Sequence, residues 1–352
     1  MKLAIVTFHW ANNYGALLQA YGLRRTFEKM GHSVQFLDYA PPHKRVPWWR
    51  PLGLRQGRGM LAMQGMKRRC AQFRKNHLPA TRRGDGLSKV ESICRDEGFD
   101  AVVAGSDQIW NGFGAGGRYN PVYFLDFALP KQCRRISYSA CFGQADQPEE
   151  TCSRAGPALR RFDALSVRNE VSREWVRKLS GRDAVVTLDP TLLDDYAELV
   201  PEPATLGNYI CVYSLGREFR ETGEKIAARA RQRLGLPIVT LYPDGRFRGA
   251  ERRELSAGPI EWMRWLKGSG LVVTNSFHGT VFALKFGKPF ISWVGSRPER
   301  LRDLLRRTGA DERLVVQYDS DAIDALCDRP VPRNGLDAER QQSQAFLEKA
   351  LS

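Results

Sequence analysis

The sequence predicts an α/β fold of two Rossmann-like domains facing a cleft. Three observations carry that prediction. The chain has 352 residues, too many for one ordinary core, so two domains are the default. Short apolar runs alternate with stretches of helical periodicity, the signature of parallel βαβ units. Finally, the run Leu271-Val272-Val273 breaks into Thr274-Asn275-Ser276-Phe277-His278-Gly279-Thr280 before a helical stretch. That is a strand–loop–helix crossing with a histidine at its tip. Parallel sheets place ligand groups at the carboxyl ends of their strands, and a helix N-terminus there presents free N–H groups to an anion.

The elements follow in order. Residues 3–8 form an apolar strand. Leu17, Leu18, Tyr21, Leu23 and Phe27 give residues 16–29 helical spacing, Gly31 closes that helix, and 33–39 is the next strand. Asn12, Asn13, Tyr14 and Gly15 make a polar loop at the helix start. A helix at about 87–96 leads to the strand 101–104, which ends in Gly105-Ser106-Asp107-Gln108. Further strands are expected at 135–139, 164–167 and 184–188, the second closing on Arg168 and the third on Asp189-Pro190. A second α/β series begins with a strand at 209–214. A helix at 218–234, a strand at 237–241 and a helix at 260–267 lead to the histidine crossing and a strand at 289–293. A polar helix from about 336 to 351 ends the chain. The domains are expected at 1–200, with a basic insertion at 41–84, and at 201–330, with 331–352 packing back on the first.

Composition narrows the function classes. Hydrophobic content of 42% and charged content of 26% are those of a soluble globular chain. No run approaches the ~18 apolar residues of a membrane span, and the N-terminus is too short for a signal-peptide core, so a cytoplasmic place is expected. The seven cysteines are scattered, odd in number and without a CxxC pair, which predicts reduced thiols rather than a disulfide frame or metal site. Net charge is +15 and unevenly spread. Residues 41–84 hold twelve Lys/Arg and no Asp or Glu. Either this is a solvated basic loop and helix, or it faces an anionic surface. Trp48 and Trp49 among those cations suit a membrane interface, and a peripheral place at the inner face of the cell membrane is expected. No RRM, helix-turn-helix or zinc-finger pattern accompanies the charge, so nucleic acid is not an expected partner. The oligomeric state is not written in the sequence, and a homo-oligomer is compatible with it.

Imidazole moves protons near neutrality, which makes His278 the candidate acid/base, with a helix-capping role as its alternative. Asn12, Asn13, Tyr14 and Gly15 either contact ligand or form a plain turn, and Ser106, Asp107 and Gln108 carry the same two readings. Arg168 at a strand end suits a carboxylate or phosphate, or an ion pair with Glu170 or another acid. Gly114-Ala115-Gly116-Gly117 lacks the GxGxxG and GK[ST] patterns and reads as a flexible turn. No HExxH, GxSxG or Cys/His nucleophile signature is present, and neither metal nor cofactor is expected.

Six stretches together resemble the polysaccharide pyruvyl transferase family. They are the run from Asn13 to Ala20, Gly105-Ser106-Asp107-Gln108-Ile109-Trp110-Asn111, Tyr123-Phe124-Leu125-Asp126-Phe127, Ser166-Val167-Arg168, Leu188-Asp189-Pro190 and Ser276-Phe277-His278-Gly279-Thr280. They occur in family order over roughly residues 1–300. The resemblance implies a GT-B-like fold and transfer of the enolpyruvyl-derived group of phosphoenolpyruvate to sugar hydroxyls. The product would be a pyruvate ketal on a bacterial surface or exopolysaccharide precursor. The implied partners are phosphoenolpyruvate, as donor substrate, and a glycan or lipid-linked oligosaccharide acceptor. His278 would be the proton donor. Ser276, Gly279 and Thr280, with the polar residues above, would bind substrate. Some family members carry Arg where this chain has Ser276, so Arg168 and Lys288 become candidates for holding the donor's anionic groups. The competing readings are a GT-B-like glycosyltransferase using a nucleotide sugar and a non-catalytic envelope-assembly protein.

Overall fold

A computed structural model describes residues 1–41, 57–112, 118–201, 207–241, 247–295, 298–331 and 336–352. Its contacts divide the chain into two compact units. Of the described residues, unit 1 takes 1–41, Phe73–Asp194 and Asp337–Ser352, and unit 2 takes 57–72 and those of Asp195–Leu336.

Unit 1 runs β1 (Lys2–Val6), α1 (Tyr14–Lys29), β2 (Ser33–Asp38), the end of α2 (Gly57–His77), β3 (Ala80–Arg83), α3 (Leu87–Glu97), β4 (Ala101–Asp107), β5 (Arg134–Ala140), α4 (Glu149–Arg160), β6 (Ala164–Val167), α5 (Glu170–Ser180) and β7 (Val185–Val186). The strands form one parallel sheet in the order β3-β2-β1-β4-β5-β6-β7, with Ile5 opposite both Phe36 and Val103. β1 and β4 are buried nearly throughout, as central parallel strands covered on both faces must be. Trp110 anchors the core, stacked on Phe124 with centroids 5.5 Å apart and packed against Phe142 and Phe162. The closing helix α11 (Asp337–Leu351) belongs to this unit. Its Ser343 Oγ accepts from Leu188 N at 2.9 Å, Ala350 O accepts from Arg134, and Phe346 meets Tyr138.

Unit 2 repeats the plan with β8 (Ile210–Tyr213), α6 (Arg220–Leu234), β9 (Ile238–Thr240), β10 (Arg252–Arg253), α7 (Pro259–Gly268), β11 (Leu271–Thr274), α8 (Phe277–Lys285), β12 (Phe290–Trp293), α9 (Pro298–Arg307), β13 (Leu314–Val315) and α10 (Ser320–Asp328). The parallel order is β10-β9-β8-β11-β12-β13. In both sheets the chain turns back at one place, between β1 and β4 in unit 1 and between β8 and β11 in unit 2. Such a switch point is where open α/β sheets take ligands, at the strands' carboxyl ends.

Several sequence expectations change. Tyr14 and Gly15 lie inside α1, both buried, rather than in the loop before it, because Asn13 caps the helix so that it starts two residues earlier than the apolar spacing showed. The basic stretch, expected as an insertion of the first domain, contains α2, and that helix up to Gln72 clusters with unit 2. The cause is local: Gly65 packs against Ser256, and Arg69 donates to Ser256 O at 2.9 Å beside Gly258. The strand at 184–188 shortens to two residues before Asp189 starts a single 3-10 turn, Pro190–Leu192. Helices α4, α5, α9 and α10 had no counterpart in the reading. Trp48, Trp49, Lys44, the Gly114–Gly117 turn, and Glu202 and Pro203 beside the expected domain boundary lie outside the described residues. All seven cysteines are free thiols, and only Cys152 is not buried.

Candidate active site

In unit 1 the switch point is knit by polar side chains with almost no water access. Gln19, fully buried in α1, donates its amide to Thr7 Oγ1 (2.8 Å) and Ala16 O, and its carbonyl accepts from Ser106 N (3.2 Å). Thr7 Oγ1 in turn donates to Ser106 O at 2.9 Å. An amide with two donors and an acceptor can join β1, α1 and β4 in this way, and a buried polar group left without partners would cost ~1–3 kcal/mol. Asn13, in extended backbone, accepts from Ala16 N with its side chain and so serves as N-cap. Asn12 is exposed and accepts from Arg74 at 3.0 Å.

Beside this knot lies a buried charge cluster. Arg168, 3% exposed just past β6, donates to Ser106 Oγ at 2.7 Å and pairs with Asp189 Oδ2 at 2.8 Å, with Asp107 Oδ1 at 3.8 Å. Burial works against the guanidinium charge, but Asp189 and then Asp107 outweigh it and hold the group above its ordinary pKa. Asp107 has φ of +80° and accepts from Gln108 N with its own carboxylate, a local bond that suits Asp to the left-handed region. Gln108 accepts from Asn111 at 3.2 Å. Ser106, Asp107 and Arg168 are therefore brought together, and the acid beside Arg168 is Asp189 rather than Glu170.

Unit 2 builds its switch point from the histidine crossing. Thr274 Oγ1 donates to Tyr213 O at 2.7 Å and accepts from Ser276 N, while Asn275 exchanges two 2.7 Å bonds with Leu215. These bonds tie the ends of β11 and β8. Ser276 then caps α8, its side chain accepting from Gly279 N at 3.3 Å. A Cβ at Gly279 would stand 2.4 Å from Thr274 Oγ1, so only glycine lets the first turn of α8 come this close to β11. Thr280 donates to Ser276 O and bonds Ser292 on β12 at 2.8 Å. His278, 9% exposed, sits in this first turn with its ring edge-on to Phe277 (5.2 Å), and the Arg300 guanidinium stands over that same Phe277 ring. No acidic side chain occupies the first turn of α8 or of α1, so neither helix dipole is offset there by a carboxylate of its own. Lys288 is not placed with His278. It follows α8, about 13 Å along the helix from its start, and precedes β12 at the opposite end of the strands.

Sequence reasoning passed over four participants. Gln19 is a polar residue in an apolar helix face and was legible as such. Asp189 carried its signal in the Asp-Pro step. Asn275 lay within the histidine crossing but was given no role. His9 follows β1 and is 4% exposed. Its Nδ1 faces Thr7 O at 3.2 Å, which requires the proton on Nδ1, and Nε2 lies 4.0 Å from Asp38. Burial, the largest cause, lowers its pKa to about 4 despite the raising effects of Thr7 O and Asp38. Among the described residues no group of three or more His, Cys, Asp or Glu is placed to hold a metal ion.

The family described as polysaccharide pyruvyl transferase matches residues 13–296. A search of curated protein sequences returns no match. Among solved structures, UDP-GlcNAc 2-epimerase from Methanocaldococcus jannaschii, in complex with UDP-GlcNAc and UDP, superposes with a TM-score of 0.55 at 12% identity, covering 99% of this chain and 100% of that one. A putative UDP-N-acetylglucosamine 2-epimerase from Listeria monocytogenes gives 0.54 at 14% identity, with 99% and 91% covered. The S. aureus MnaA–UDP structure gives 0.54 at 15% identity, with 100% and 97% covered. At these identities the likeness is one of fold, which is GT-B-like.

Proposed function

The chain belongs to the polysaccharide pyruvyl transferase family, and we propose that it moves the enolpyruvyl-derived group of phosphoenolpyruvate onto the hydroxyls of a surface-glycan precursor, closing a pyruvate ketal. The observation that carries this reading is the place of His278: a buried imidazole in the first turn of a helix that opens at the switch point of its sheet. Protonation of C3 of phosphoenolpyruvate by His278 would develop positive charge at C2, which one sugar hydroxyl attacks. Expulsion of phosphate and attack by a second hydroxyl complete the ketal. The N–H groups at the start of α8 supply a field for the donor's anionic groups. In unit 1 the charge of Arg168 is already answered by Asp189 and Asp107.

The test is donor-dependent transfer. Phosphate release from phosphoenolpyruvate should require an acceptor glycan, and His278→Ala should reduce it by ~10²–10⁴-fold, the usual range for a positioned acid/base, with an unchanged melting temperature. His278→Gln should be nearly as poor. Near-normal turnover in either variant would sink the proton-donor role. Because similar folds bind UDP and UDP-GlcNAc, a thermal-shift comparison belongs beside the assay. Stabilisation by UDP-GlcNAc and none by phosphoenolpyruvate would replace this reading with a nucleotide-sugar enzyme.

A further inference from the structure

Helix α2 has two unlike faces. Met66, Cys70 and Phe73 are buried, with Cys70 Sγ 3.5 Å from Met66 Sδ and Phe73 against Tyr21. These positions recur at helical spacing and account for the inner face. The opposite stripe is Leu61, Arg68 and Lys75, spaced seven apart. Seven residues are nearly two whole turns, so the three stand in one line about 21 Å long. All three are exposed, Leu61 at 68%.

What sets this stripe apart is that its whole segment, residues 41–84, holds twelve cations and no acid. Some exposed arginines elsewhere are matched, as in Arg177–Asp183 and Arg233–Asp328, whereas others, Arg264 and Arg302 among them, make no ion pair with a described residue. Lys67, Arg68 and Lys75 make no ion pair with any described residue. The sequence explains this, since residues 41–84 contain no acid. Two other cations of the same helix, Arg69 and Arg74, are instead held by Ser256 O and by Ala11 O and Asn12, and Arg69 Nε also lies 4.0 Å from Glu261 Oε1. A line of free cations headed by an exposed leucine is the composition of a surface that lies on a bilayer. The apolar tip enters the headgroup boundary, and the long stems keep their charges at the phosphates. No described helix is long and apolar enough to cross a membrane, which leaves α2 a surface element.

We propose that the outer stripe of α2 docks on an anionic lipid bilayer. The proposal stands on the helix alone and would bring the proposed transfer to a lipid-linked acceptor. The test is flotation of the full-length protein with vesicles, which involves neither donor nor acceptor and so can fail independently of the transfer reaction. Partitioning onto phosphatidylcholine vesicles containing phosphatidylglycerol should exceed that onto pure phosphatidylcholine, and should fall as salt shortens the screening length. Each cation near such a surface contributes roughly a fivefold factor, so Arg68→Gln with Lys75→Gln should weaken partitioning by roughly thirtyfold. Leu61→Ser should weaken it further. The same charge removed elsewhere on the surface, by Arg264→Gln with Arg302→Gln, should have less effect. Equal recovery with neutral and anionic vesicles, no recovery with either, or equal losses from both double variants would overturn the proposal. So would salt-sensitive retention on duplex DNA without vesicle binding.

Discussion

Arg168 shows how one residue can be chemically suggestive and structurally bound. Its charge is answered by Asp189, whose other oxygen accepts from Thr191 N and Oγ1 at 2.9 and 2.6 Å. Arg168→Ala would take the cation away from a carboxylate only 2% exposed. Breaking a buried pair from one side costs ~3–5 kcal/mol, so a clearly lowered urea midpoint is expected, alongside any loss of donor affinity. Unchanged stability with lost affinity would instead make Arg168 a ligand residue first. Arg168→Lys should recover part of the stability, since a point charge can face Asp189 but not also reach Ser106 in the same fork geometry. His9 gives a second prediction. Its folded pKa of about 4 lies below the ordinary 6.5, so the unfolded chain binds the proton more readily. Stability is therefore full above about pH 6.5 and declines as pH falls toward about 4, by on the order of 3 kcal/mol. Urea unfolding across that window should show the slope, and His9→Asn should flatten it. An unchanged slope in that variant would assign the loss to other groups.

Among the elements, the crossing from β11 to α8 was the most legible in sequence, because it combines an apolar run, a capping serine and a glycine within nine residues. The purpose of the glycine was not legible. Only the approach of Thr274 Oγ1, 2.4 Å from where a Cβ would stand, explains it. Gly279→Ala should therefore displace the first turn of α8 and cut transfer sharply, with a stability loss of ~1–3 kcal/mol from overpacking. Gly287→Ala, just past the other end of α8, is the instructive contrast. No neighbour crowds that site, but its φ of +59° brings backbone strain, so it should lower stability and leave the turn around His278 in place. If the two variants lose transfer equally, close approach at Gly279 is not what shapes the site. The loop before α1 was the harder case. Asn-Asn-Tyr-Gly reads as a turn, and only the Asn13 cap reveals that Tyr14 and Gly15 already belong to the helix.

At the scale of the whole chain, the parallel α/β class and the two series of strands were visible in alternating apolar and amphipathic runs. The membership of distant segments was not, because it depends on long-range contacts that leave no local pattern. Helix α2 and the closing helix α11 are the two examples. The basic segment was legible as loop and helix, but its charge hid the packing of α2 against Ser256. α11 packs Leu347, Ala350 and Leu351 into unit 1, and its Ser343 accepts from the backbone N–H of Leu188, the residue before Asp189. Tyr138 completes that junction, donating to Leu188 O at 3.0 Å and meeting Phe346. Two buried leucines alone are worth roughly 3–6 kcal/mol, before the hydrogen bond to Leu188 is counted. A chain ending before Asp337 should therefore lose stability in unit 1, while unit 2, whose core around Trp293 and Ile226 receives nothing from α11, should keep its own. Hydrogen exchange on the truncated chain would separate the outcomes. Faster exchange confined to β5, β6 and the Leu188 turn is expected. Protection unchanged in those strands would show that α11 merely covers them, and the position of Asp189 opposite Arg168 would then rest on the sheet alone.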